Sequence, residues 1–133
     1  MYRDIVVDEM RKTALIIAKL LGLKIAGKQT EFVQEVNGLM LKEYDTDLET
    51  LLGLSQEDFN EFINSDRYSS EKLNALSQML YMFAEPFRQD EATQLLLKKV
   101  MAIFDVLEQK HRYQSFDNIS KRNAIYKYFN INP

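Results

Sequence analysis

Few side chains in this sequence are able to do chemistry, and their spacing argues against most of what they could do. The single histidine, His111, stands between Lys110 and Arg112. Two neighbouring cations disfavour an imidazolium while a helix C-terminus favours one, and the triplet reads as an exposed or capping histidine at a helix end. The chain holds no cysteine, hence no thiolate nucleophile and no Cys-ligated zinc or iron–sulfur centre. Ser55, Ser65, Ser69, Ser70 and Ser115 all fall beside turn or cap positions, the commonest structural use of serine. The sharpest candidate for a hard cation is the triplet Asp45, Asp47 and Glu49. A calcium loop opening at Asp45 needs glycine in its sixth position and glutamate in its twelfth, where Thr50 and Gln56 stand instead. Asp47 therefore reads as a helix cap, with Glu49 in the first turn. No phosphate-cradling glycine loop, no Gly-x-Ser-x-Gly and no His-Glu-x-x-His occurs. The expectation is a chain that is not an enzyme, with no catalytic residues, no metal site and no cofactor.

Composition sets the elements that must carry the remaining side chains. Four glycines and two prolines in 133 residues compare with roughly 12% Gly plus Pro in average usage. Sandwiches and barrels need turn residues every ~8–12 positions, so they are short of punctuation here. Leu, Glu, Lys, Gln, Met and Ala fill the long segments, and an all-α fold follows: an irregular bundle of about five to seven helices in a single domain over residues 1–133. The absence of cysteine fits a reducing cytoplasm. The first apolar stretch carries Asp8, Glu9, Arg11 and Lys12, unlike a signal peptide, and no uncharged run approaches the ~20 residues of a membrane span.

Apolar steps of three and four predict helices over 4–21, 30–44, 70–85, 91–112 and 118–129, with short helical turns over 46–64. Gly38 inside the second helix suggests a close approach of another helix. Ser55 and Asp58 suggest a capped start, Ser69 or Ser70 another, and Pro86 is expected to end or kink the helix before it. Asp90 caps the strongest helix, which is apolar over most of its circumference and so expects neighbours on two sides. In the last helix Ile119, Ile125, Tyr126 and Phe129 are the expected inner residues.

The pair 4–21 and 30–44 resembles the pair 70–85 and 91–111, each a helix, a bend and an amphipathic helix. With Gly27 at the turn, Ala92 near the start of a second helix, and Ala14, Ala18 and Ala102 at packing positions, the arrangement is similar to tetratricopeptide-like stacked hairpins. The family's 34-residue period, Trp, Tyr and closing Pro are missing, which leaves a plain irregular bundle as the other reading. The chain also resembles a family of small bacterial helical proteins of unknown function. That likeness rests on 4–21 leading into 23–27, on 51–62, and on Ser115-Phe116 ahead of the last helix. It implies the helical fold and brings no catalytic residues.

Two features point to a binding surface. Met79, Met82, Phe83, Phe87, Met101 and Phe104 cluster on the second hairpin, as adaptable groove or as core filler. Charge is also polarised: residues 43–66 hold eight acidic residues and no basic one, whereas 110–133 hold Lys110, Arg112, Lys121, Arg122 and Lys127 against Asp117 alone. These five cations form a candidate basic rim to the groove. The two regions either offset each other within one chain or serve docking, including self-association. Tyrosines 113, 126 and 128 interleave with the cations in a way that suits nucleic acid, but an overall pI near 5.2 argues against it. The expected function is a cytoplasmic protein–protein interaction or scaffolding module, with a homodimer among its forms. The alternative is a carrier or sensor of a small apolar ligand held between the hairpins.

Overall fold

The computed structural model describes residues 25–130, which form six helices and no strand. The expected helix over 4–21, and the hairpin it would make with the next one, lie outside the described residues. No helix among those described is long and apolar enough to cross a membrane. The chain divides into two compact units, one up to Phe59 and one from Asn60.

In the first unit, Gly27 turns the chain with φ of 74°, in the region where a β-carbon is penalised. Helix α1, Gln29–Tyr44, follows. Phe32, Val36, Met40 and Tyr44 repeat every four residues, and all four are buried. The helix stops at Asp45, which adopts the left-handed conformation that ends helices. Helix α2, Leu48–Leu52, starts at once, because the Asp47 carboxylate accepts from the Thr50 backbone N–H at 2.7 Å. The Asn37 side chain fastens this turn to α1 by accepting from the Leu48 N–H at 3.1 Å. Asp47 is thus the cap its sequence context suggests. Gly38 lies on the exposed side of α1, and a β-carbon there would meet nothing within 4 Å among the described residues. Among the described residues no helix approaches it closely.

Helix α3, Gln56–Asn64, spans the boundary between the units and opens on the Ser55 hydroxyl, which accepts from the Asp58 N–H at 3.1 Å. The second unit is built on a hairpin of α4, Ser70–Ala84, and α5, Glu91–Gln109. Ser69 caps α4 through the Lys72 N–H and Asp90 caps α5 through the Thr93 N–H. Helix α4 ends two residues before Pro86, whose ring excludes a continuing helix. Leu73, Leu76, Met79 and Leu80 of α4 and Leu97, Val100, Ile103, Phe104 and Leu107 of α5 form the core of this unit.

Helix α5 ends three residues before the expected 112, because Arg112 takes the left-handed conformation with φ of 54°. The Tyr113 N–H then returns to the Leu107 carbonyl at 2.8 Å, which closes the helix end. Helix α6, Phe116–Phe129, starts two residues earlier than its apolar spacing implied. The Ser115 hydroxyl accepts from the Asn118 N–H at 3.0 Å, and the helix begins at that cap.

Candidate functional site

Helix α6 lies against the α4–α5 hairpin, meeting Asn74, Gln78 and Tyr81 on α4 and Phe104, Asp105 and Glu108 on α5. Of the residues expected to line a groove, Met79 and Phe104 are only 1% exposed and Met82 is buried. Phe83, Phe87 and Met101 remain half-buried. The first three act as core as the molecule stands; the last three lie at its edge.

Helix α6 is seated by polar and charged side chains more than by apolar ones, for only Asn118 and Ile125 are buried on it. Three fastenings run along one face at positions 118, 121, 122, 125 and 128, spacings that share a helix side. At its start, the Gln78 Nε2 donates to the Asn118 Oδ1 at 2.9 Å, and the Asn118 Nδ2 donates to the Asn74 Oδ1 at 2.9 Å. Gln78 also reaches the Ser77 hydroxyl at 3.3 Å, and Ser77 donates to the Asn74 carbonyl at 2.6 Å. Buried amides are costly without partners, and here each finds one.

In the middle of α6, Arg122 Nη2 lies 3.1 Å from both Asp105 and Glu108 on α5, with its guanidinium 5.7 Å from the centre of the Phe104 ring. Burial alone would lower the pKa of Arg122. The Tyr126 hydroxyl and the two carboxylates more than offset that and raise it. Lys121 pairs with Asp117 at 2.6 Å and holds its ammonium 5.3 Å from the Tyr81 ring. The Tyr81 phenol is pushed above its ordinary value, first by burial and then by Glu85 and Asp117.

At the end of α6 the contact becomes aromatic. Tyr81 meets Phe87 edge to face at 5.4 Å, Phe87 meets Tyr128 at 5.6 Å, and Tyr128 meets Phe129 at 4.9 Å. The Tyr128 hydroxyl donates to the Arg88 carbonyl in the α4–α5 connection at 2.5 Å. Phe87, Tyr128 and Phe129 each stay half-buried, so this edge faces water.

The five cations of the expected rim therefore divide. Lys121 and Arg122 fasten α6 to the hairpin. Lys110 reaches back to Asp66 at 3.0 Å and to the Asn64 carbonyl. The end of the acidic segment and the start of the basic one thus meet inside one chain. Arg112 and Lys127 are exposed, with no ion pair among the described residues. His111 is half-buried, and its Nε2 has no hydrogen-bond partner among the described residues.

Two features were not anticipated. Lys99 is 3% exposed on α5, and burial holds its ammonium below the usual lysine range. Phe116, the first residue of α6, is 92% exposed. Leu95 on α5 is 45% exposed, so the apolar surface of that helix is only partly covered. No family model, curated protein or solved structure matches the chain.

Proposed function

We propose that this chain is a non-catalytic protein–protein interaction module, cytoplasmic in keeping with its lack of cysteine, and that it recognises helices. One observation carries the reading: the α4–α5 hairpin already holds a helix on Gln78, Tyr81, Phe104 and the carboxylates of Asp105 and Glu108, and an aromatic edge of that contact stays open to water. Phe87, Tyr128 and Phe129 form the open edge. Arg88 and Lys127 are exposed on the same connection and helix. Half-exposed aromatics with cations nearby suit an amphipathic helix with acidic residues beside its apolar stripe. In this reading Phe87 and Phe104 meet α6 directly, Met79 and Met82 belong to the core, and Phe83 and Met101 lie half-buried.

A photoreactive phenylalanine analogue at position 87, in the full chain within its own cells, tests this. The expected result is one discrete adduct that disappears when Arg88 and Lys127 are both changed to Glu. An adduct of the same identity from a probe at Glu57, or no adduct from position 87, overturns it.

A further inference from the structure

The helix seated on the hairpin is a candidate for exchange. Helix α6 buries two residues and is otherwise held by amides, ion pairs and ring edges, all within the second unit. Such fastenings are specific in geometry but individually modest, and the charged ones weaken with salt. The link to α5 is short: Lys110 to Ser115, six residues between Gln109 and Phe116. Within it, Arg112 occupies the left-handed region at φ of 54°, where a residue with a β-carbon is disfavoured. Lys110, Arg112 and Gln114 of this link are exposed. A short, strained link beside a weakly buried helix is the arrangement that favours exchange of the helix between identical copies.

We propose that α6 is an exchangeable strap: it closes over its own α4–α5 hairpin in the monomer and over the hairpin of a second copy in a dimer. The occupant is identified by fit, since a second copy presents the same face to the same groove. Asn118 would enter the amide pocket of Asn74 and Gln78, Arg122 would span Asp105 and Glu108, and Tyr128 would cap Phe87. Opening the link lets Arg112 leave the left-handed region. The inference rests on reading the hairpin as a helix-binding face, and it names the partner that the open form would meet first.

Charge reversal across the middle fastening separates exchange from ordinary closure. In R122E the strap is repelled by its own Asp105 and Glu108; in D105K/E108K the hairpin repels its own Arg122. Mixed, the two variants can satisfy both sets of charges only by trading straps. The native Arg122 of the D105K/E108K chain then meets the native carboxylates of the R122E chain. In return, the glutamate introduced by R122E meets the two introduced lysines. Full chains carrying each variant are co-refolded from denaturant and their mass read by light scattering. The expected result is a species of twice the chain mass, containing one copy of each variant, formed from the mixture and absent from either variant alone. If either variant folds poorly by itself, co-refolding still reads the trade, because only the complementary pair restores both contacts. Monomer mass from the mixture, or an equal dimer from one variant alone, overturns exchange. The photocrosslink at position 87 is untouched by that outcome, so failure of the strap and failure of the helix-binding face are told apart.

Discussion

Gln78 on α4 donates from its Nε2 to the Oδ1 of Asn118 on α6 at 2.9 Å, joining side chains 40 residues apart. This bond does what apolar burial does elsewhere in the unit. It fixes the depth and rotation of α6, since an amide pair is satisfied in few geometries while a leucine contact is satisfied in many. Asn118 is also the residue whose backbone N–H is capped by Ser115, so one position sets both the start of α6 and its docking.

Asn118→Ala should therefore destabilise the second unit by about 1–3 kcal/mol, because the Asn74 and Gln78 amides lose a buried partner. Urea unfolding of the full chain followed by helical circular dichroism checks this. Ser115→Ala, which removes the cap and leaves the buried amides in place, should cost less.

Arg122→Met removes a charge-assisted contact but keeps the stem that lies over Phe104. Its two carboxylate partners are 53% and 32% exposed, so solvent discounts the pair, and a loss of about 1–2 kcal/mol is expected. The salt response is the sharper readout. Raising salt from about 0.01 to about 1 M shortens the screening length from about 30 to about 3 Å. The stability of the native chain should fall over this range more than that of R122M.

The Asp90 carboxylate is held below its ordinary range by hydrogen bonds from the backbone and side chain of Thr93. Asp47 is held there by Thr50 in the same way. The ionised form is the better acceptor, so each contribution is complete above about pH 4, the unfolded value, and is lost as pH falls through the depressed native one. Asp90→Asn keeps a capping oxygen that does not titrate. The variant should match the native chain near neutrality and resist acid unfolding to a lower pH, as followed by circular dichroism during acid titration.

Gly38→Ala should stabilise the first unit by about 0.5–1 kcal/mol, because the position is helical, exposed and open around a β-carbon. A rise in thermal midpoint checks it. An unchanged or lower midpoint would mean that Gly38 serves a contact beyond the described residues.

Local signals were the legible ones. Ser55, Ser69 and Asp90 read as caps because a cap is a matter of a few neighbouring residues, and each is found bonding the backbone N–H three positions on. Pro86 likewise ends its helix for a reason local to its ring. The seating of α6 was not legible, since Asn74, Gln78 and Asn118 are ordinary polar residues until the fold brings them together. The one available signal was Ser77-Gln78 interrupting the apolar run of 76–84 on a helix too buried to need solubility. For the same reason, apolar spacing identified Met79 and Phe104 without saying that Lys121 and Arg122, read as a rim, seat α6 on Tyr81, Phe104 and the carboxylates of α5.

Arg112 offers the most direct handle on the strap. In the left-handed region a residue with a β-carbon pays about 1–2 kcal/mol, which glycine does not. Glycine adds freedom to the unfolded chain worth about 0.4–1 kcal/mol, so the two effects oppose each other. The first is the larger, and Arg112 brings no ion pair among the described residues to lose. Arg112→Gly should therefore raise stability by about 0.5–1 kcal/mol. It should do so by relaxing the closed turn, and the drive to open the link falls with it. At equal concentration R112G should then show a smaller dimer fraction than the native chain by light scattering. A variant that gains stability while its dimer fraction grows would mean that the turn at Arg112 plays no part in releasing α6.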